Sequence, residues 1–586
     1  MMFGKHIILL HYCDKEKAMQ KFSELPYERP KKLQALKALA VITKKVRNAA
    51  SAADTVAAVR KYNTLMRALT TQGALASIRH TLDVSDKFYE EENKFFDDTQ
   101  PLFMPAVMRF TKALLKSPFR AELTEAFGAH YFTILENTLK KMSVKLILPM
   151  QKESALSREY QKLLASCKVE FMGEVRNLSG LSKFLQDPDR SVRKSAFTAI
   201  SGFLSAHGKK LDSIYGKLVK LRTHMGKNMG YKTYTPLGYI NMGRYSYTKE
   251  HVESFRTQVV RDLVPVCTAL RERQAKRIGV EKLKVYDESF QFTDGNAVPQ
   301  GTPEELVKAA QKMYRELSAE TGEFFDFMVQ HELMDLVTRP NKRVGGYCSS
   351  LPDYRAPFIF SNFNGTSSDV DVLTHEAGHA FADKTSSQYN ELLELTEPTL
   401  ESCEIHSMSM EFFAHPWMEL FFGEKADKYR YVHLLGSLLF VPYGVCVDEF
   451  QHIVYENPEF SPARRRQVWR ELEKKYLPHR DYDGDAFMED GGFWQKQSHI
   501  YSMPFYYIDY TLASMSAFEF FGRMQENREQ AWADYMKLCT AGGTLPYTEL
   551  LKLANLANPF EESGVKRAVA AVVKVLDETD DTMLLA

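Results

Sequence analysis

Residues Asp371 to Ala380 read DVLTHEAGHA, which sets His375, Glu376 and His379 in the order His-Glu-x-x-His. Residues four apart on a helix share a face, so both imidazoles can reach one cation while Glu376 points at the neighbouring position. Around them, Val370, Val372, Leu373, Ala377, Ala380 and Phe381 leave almost every other surface of this helix apolar or small. A carboxylate and two imidazoles in such surroundings need partners. A catalytic zinc takes three protein ligands and keeps a fourth position for water, so the pattern asks for one more ligand from elsewhere in the chain.

Downstream, Thr396-Glu397-Pro398-Thr399 marks a new helix start, because proline is tolerated in a first turn and threonine caps well. The helix that follows carries Glu401, Glu404, Met408 and Glu411 on roughly one face. Spacing excludes two familiar architectures. Zinc proteases of the thermolysin and aminopeptidase kinds place their ligand glutamate about twenty residues after the second histidine, where this chain has Pro398 and Thr399. A metzincin needs glycine and histidine soon after the motif, where Ala382 and Thr385 stand. Glu401 and Glu411 read as solvated helix charges or as partners of a metal-bound histidine, and His406 and His415 as surface or packing residues. Glu332, in QHELMD, has half a motif, with Asp335 where a second histidine would be.

Upstream, Gly345-Gly346-Tyr347-Cys348 and the run from Ala356 to Gly365 are dense in aromatics and bounded by glycine and proline, the clearest β signal in the chain. Elsewhere the pattern is helical. Lys31–Tyr62, Ile78–Phe95 and Pro105–Leu115 show apolar spacing of three and four, and Asp187-Pro188-Asp189 opens another helix. Val169–Leu181 suggests a small hairpin, Gly230–Tyr247 is a Tyr- and Gly-rich segment with loop, and a long helix is expected over Lys249–Arg277. Thr302 and Glu305 have capping-box spacing. No repeat and no regular strand-helix alternation is present, so the expected fold is mostly α, with a soft boundary near residue 205 dividing a helical region, 1–205, from the remainder, 206–586.

The 586 residues carry 76 basic and 75 acidic side chains, and no long basic tract that would steer a nucleic acid or an anionic membrane. Seven scattered cysteines, with no C-x-x-C, suit a reducing compartment. The apolar run Ile7–Leu10 is too short for a signal-peptide core, no stretch reads as a membrane span, and Met19 opens a plausible alternative start. The expected setting is cytoplasmic, with small peptides or metabolites as partners rather than nucleic acid or membrane.

Taken together, LPYERP near the start, GGYC, PFIFSNFNGT, DVDVLTHEAGHAF, ESCEIHSMSME, VDEFQHIVYENP and HIYSMPFYYIDY resemble the M3 family of zinc oligopeptidases, in its oligoendopeptidase F branch. The resemblance covers most of the chain. It implies a two-lobed helical shell around a deep channel, with a small β-sheet beside the motif helix and 206–586 as the catalytic region. It also implies one Zn2+ held by His375, His379 and Glu404, with Glu376 as general base for hydrolysis of short unstructured oligopeptides. Cobalt or manganese would fit the same ligands. His499, Tyr506 and Tyr510 are the implied oxyanion donors, with Tyr507 a further candidate; Ala513 replaces a tyrosine of mammalian-type relatives. Phe358, Ile359, Phe360, Ser361, Asn362, Phe363 and Gly365 are expected to form an edge strand that pairs with the substrate backbone. Two alternatives remain: a dipeptidyl carboxypeptidase, using Arg339, Arg343, Arg244 or Lys342 to hold a terminal carboxylate, and a peptide-binding protein without turnover, which an intact Glu376 disfavours.

Overall fold

A computed structural model describes residues 19–584. The run Ile7–Leu10, Cys13 and the segment preceding Met19 lie outside the described residues. The chain is predominantly helical, and it divides into two compact units whose segments alternate along the sequence. The first comprises the described residues up to Ile147, then Pro299–Phe421 and Asn527–Asn555; the second comprises Leu148–Val298, Phe422–Glu526 and the residues from Leu556 onward. Residue 205, where composition suggests a boundary, lies within the unbroken helix Arg190–Asn228.

In the first unit, helices Lys32–Arg47, Ala52–Leu82 and Lys87–Leu115 pack around Leu39, Val59, Leu65, Phe110, Leu114 and Tyr131, all essentially inaccessible to solvent. Their breaks differ from the sequence reading. Ser51 accepts a hydrogen bond from the Asp54 amide and starts a new helix inside the expected Lys31–Tyr62 segment. Asp86 caps the third helix, which then runs through Pro101 and Pro105.

The same unit holds a three-stranded sheet made of β1 (Met334–Val337), β2 (Tyr347–Leu351) and β3 (Ala356–Phe363). β3 is central, parallel to β1 and antiparallel to β2, with Cys348 opposite Ile359 and Tyr347 opposite Phe360. This corrects the expectation of an edge strand. A backbone paired on both sides has no row of free amides and carbonyls for a peptide, and Phe358, Ile359, Phe360 and Phe363 are buried core residues. Ser361 is buried too, its carbonyl accepting from Lys342 Nζ, while Asn362 Nδ2 donates to the carbonyls of Arg343 and Gly345, each at 2.8 Å. An uninterrupted apolar run identifies a strand without saying whether it is central or marginal, because that depends on partners distant in sequence.

Gly365, at φ 82°, turns the chain from β3 into helix α1 (Ser368–Tyr389), and the buried Asp369 accepts from the amides of Asn364 and Gly365. Helix α2 (Leu400–Phe413) then packs along α1. Gly378 makes that packing close: a Cβ there would stand 2.7 Å from both the His406 carbonyl oxygen and the Ser407 Cα.

The second unit is built on Arg190–Asn228 and Ala426–Glu456, with Tyr215, Phe450, Trp469, Trp494 and Tyr501 forming an aromatic core. Val169–Phe171 and Glu174–Arg176 form the expected hairpin, turned by Met172 and Gly173 at positive φ. The stretch Glu419–Glu456 is long and apolar enough to cross a membrane, contrary to the sequence reading, but 67% of its apolar window is buried inside the protein. Such burial is what the core helix of a folded domain requires.

Candidate metal centre and catalytic residues

On α1, His375 and His379 sit one turn apart with ring centroids 4.9 Å from each other, and α2 brings Glu404 to both. Glu404 Oε2 lies 3.3 Å from His375 Nε2 and 3.4 Å from His379 Nε2. Two donor atoms bound tetrahedrally to one zinc, each at about 2.0–2.1 Å, are necessarily about 3.4 Å apart. The donor atoms of all three residues fall within 4.8 Å of one another. Two imidazoles and one carboxylate at this separation therefore fit a single zinc-sized cation.

The surroundings orient these groups. His375 Nδ1 lies 2.6 Å from Glu411 Oε1, which fixes the ring and turns Nε2 toward Glu404. Ser407 Oγ donates to Glu404 Oε2 at 2.9 Å. Burial alone would lower the His375 imidazole, but Glu404 and Glu411 outweigh it and hold the group well above its ordinary value. Burial likewise opposes ionisation of Glu404, and the two histidines overcome it and hold this carboxyl well below the usual range. Glu376 is different. Burial raises its carboxyl above the ordinary value. The loop into β2 comes close to it: a Cβ built on Gly346 would lie 3.4 Å from Glu376 Oε1.

Several expectations need correction. Glu401 is fully buried rather than solvated, accepting from Thr399 Oγ1 at 2.9 Å in the first turn of α2. His406 and His415 are buried packing residues, and the surface alternative falls away. Glu332 pairs with Lys21 and Ser23 on an exposed turn. Among the cations considered for a terminal carboxylate, Arg339 and Lys342 are both paired with Asp335, and Arg244 is buried against Asp509 at 2.8 Å; Arg343 is on the exposed loop before Gly345. Two neighbouring carboxyls near His379, the half-buried Asp383 and the exposed Glu397, carry no signal in the sequence. Burial and the neighbouring Glu397 push Asp383 up to about 7.

The second unit gathers the aromatic candidates. His499 has ring centroids 5.6 Å from Tyr506, 5.0 Å from Tyr507 and 5.8 Å from Tyr510, and Tyr506 and Tyr510 are 4.9 Å apart. Tyr506 precedes the helix Tyr507–Ala541 rather than belonging to it, because Pro504 and Phe505, at φ 70°, form a turn. Arg244 donates to the Phe505 carbonyl and to Asp509, and the Phe505 amide donates to Gln451 Oε1. Gly238 leaves room for the Phe505 ring, which a Cβ would approach to 2.6 Å. The Tyr- and Gly-rich segment thus supports this turn. With Gln497 Oε1 accepting from Tyr443 at 2.8 Å, the Gln497 amide faces His499 Nδ1 at 2.8 Å, so the neutral ring carries its proton on Nε2.

Residues 183–569 match peptidase family M3, and residues 22–142 match the peptidase M3 N-terminal domain. The chain belongs to peptidase family M3. A structure of PZ peptidase A with an inhibitor aligns with this M3 peptidase at TM-score 0.93 and 49% identity, covering 96% of this chain and 100% of the other. An oligoendopeptidase F structure aligns at TM-score 0.93 and 50% identity, covering 96% and 99%. An oligoendopeptidase F from Bacillus anthracis aligns at TM-score 0.88 and 45% identity over 97% and 100%. An oligoendopeptidase F homologue from Borreliella burgdorferi is 22% identical over 525 residues, 83% of this chain and 84% of that protein. The M3 peptidase is therefore of the oligoendopeptidase F type, and peptides are its substrates.

Proposed function

We propose that this peptidase is a zinc-dependent endopeptidase acting on internal bonds of short, unstructured oligopeptides. The observation that carries the reading is Glu404 Oε2 at 3.3 and 3.4 Å from the Nε2 atoms of His375 and His379, with the buried Glu376 next in sequence to one of them. Bound there, one zinc ion would activate a water molecule and polarise the scissile carbonyl. Glu376 takes a proton from the attacking water and delivers it to the departing amine, a transfer favoured by a carboxyl raised through burial. Glu411 keeps the His375 ring oriented. His499, Tyr506 and Tyr510 are proposed as oxyanion donors on the family resemblance, with Tyr507 as the alternative phenol.

Substrate docking is assigned to β2 in place of β3. β2 is an edge strand, and its approach through Gly346 borders Glu376, so a peptide added along that edge would present its backbone to the base. Backbone pairing tolerates varied side chains. The test is cleavage of an internally quenched oligopeptide by the zinc-loaded chain and by Glu376→Gln, with bound zinc counted in both. The expected result is retained zinc and a loss of turnover of about 100-fold or more. Equal cleavage by both would remove Glu376 from the mechanism, and retained zinc and peptide binding with no cleavage by either would favour a binding protein.

A further inference from the structure

A recess of about 500 Å3 lies wholly within the second unit, and of its lining only Tyr507, the alternative phenol, enters the mechanism above. One side is apolar, formed by Leu178, Leu185, Phe197, Ile200, Leu204 and Met488. The polar lining includes Lys496, Arg480, Glu288 and the serines Ser179, Ser182 and Ser289. This volume falls in the ~300–1,000 Å3 range typical of small-ligand sites.

The charge at the polar end is not balanced. Lys496 makes no hydrogen bond or ion pair among the described residues, and its Nζ rests 3.9 Å from the centroid of the Phe493 ring. Arg480 is committed to Glu288, at 3.0 and 2.7 Å, yet its Nη1 is buried without a hydrogen-bond acceptor and stands 3.6 Å from Glu473. Glu473 accepts from Tyr482 at 2.5 Å and is paired with Arg470 at 3.5 Å. Arg271 adds a further cation, 3.9 Å from Glu288. Arg271 and Arg480 thus draw on Glu288 and Glu473, the second of which also serves Arg470, and neither carboxylate pairs with Lys496. Neither nitrogen of His479 finds a hydrogen-bond partner, and burial lowers this imidazole to about 4, so it adds no charge at neutral pH. Lys496 is exposed to solvent; its crowded position, with Arg480 near, lowers the ammonium to about 8, which leaves it mostly charged at pH 7.

We infer that this recess binds the carboxy-terminal residue of a peptide, its free carboxylate on Lys496 and a bulky apolar side chain against Leu185, Phe197, Ile200 and Met488. Charge complementarity selects an anion, and the apolar wall selects one with a hydrophobic body. The recess also adjoins the aromatic cluster of the same unit: Tyr507 and Gln497 line it, and both touch His499. The choice of a peptide end over another apolar carboxylate rests on the peptidase reading.

The test uses the full-length, zinc-loaded chain and calorimetric binding of N-acetylphenylalanine, its amide and octanoate. The acid is expected to bind at least tenfold more tightly than the amide and than octanoate, and Lys496→Met should bring acid and amide within twofold while zinc content and cleavage of an amide-capped peptide stay unchanged. Lys496→Gln, which keeps a polar end, should give the same loss. Equal binding of acid and amide to the native chain, or an acid preference that survives both substitutions, as it would if the carboxylate sat on the metal, overturns the assignment. Octanoate binding as tightly as N-acetylphenylalanine overturns the peptide end. The binding readouts that decide the assignment require no turnover, so failure here is separate from failure of the peptidase mechanism.

Discussion

Single side chains around α1 divide between groups that would meet a bound cation and groups that hold them. Glu411 belongs to the second kind. Its carboxylate, mostly buried, lies 2.6 Å from His375 Nδ1, and no alternative partner for that nitrogen is close by comparison. Removing the charge while keeping the shape, as in Glu411→Gln, weakens the bond that orients the ring and lowers its basicity as a ligand. Partners of this type contribute about 10–100-fold to metal affinity. Zinc affinity measured by chelator competition is therefore expected to fall by that factor, with far less change in folding than substitution of His375 itself would cause. Unchanged affinity would make Glu411 a bystander. The sequence offered Glu411 in two roles, solvated charge or histidine partner, because periodicity places it on the right face without fixing the distance to α1.

At the scale of elements, the spacing between α1 and α2 decides whether three ligands form one site. The glycine in HEAGH controls it. A methyl at Gly378 would meet the His406 carbonyl and Ser407 Cα at 2.7 Å and Met410 Cβ at 2.9 Å, and backbone cannot move aside as a flexible side chain can. Gly378→Ala should push α2 and Glu404 away from His375 and His379. Overpacking of this kind costs about 1–3 kcal/mol, and each 1.4 kcal/mol of it felt at the site is about tenfold in zinc affinity. Thermal melting and chelator competition on the same variant would check both; native-like values in each would mean that the helices are not held at contact distance. Much at this level was legible beforehand. The helix carrying the motif, the hairpin at Val169 and the Thr302 capping box follow from local chemistry, which short-range sequence encodes. The central place of β3, the break at Ser51 and the continuation of the helix from Arg190 past the expected boundary near residue 205 depend on long-range pairing or on a single cap, and local pattern does not determine them.

Across the whole molecule, the metal centre depends on chain that is remote in sequence. All three proposed ligands come from the segment Pro299–Phe421, but the first unit is completed by Asn527–Asn555. The helix Tyr507–Ala541 is interrupted at Asn527, where the backbone becomes extended at φ −152°. Beyond that point Trp532 packs against Phe381 of α1, and Tyr535 packs against Phe413 of α2 and donates its hydroxyl to the His406 carbonyl at 2.9 Å. Tyr535 is fully buried, and the His406 carbonyl it bonds is the one that faces Gly378, so its ring supports α2 beside the contact with α1. Tyr535→Ala should cost about 3–5 kcal/mol, the loss typical of a large buried ring, and zinc affinity should fall with it because Glu404 is carried by the helix left unsupported. Tyr535→Phe removes only the hydrogen bond and should cost about 1 kcal/mol, or somewhat more for the buried carbonyl left without its donor. Denaturant melts of both variants, with zinc affinity measured on each, separate packing from hydrogen bonding. If Tyr535→Ala melted and bound zinc like the native chain, the centre would be self-contained in the middle segment; the expected order, Ala well below Phe in both measurements, makes the third segment a structural part of the site.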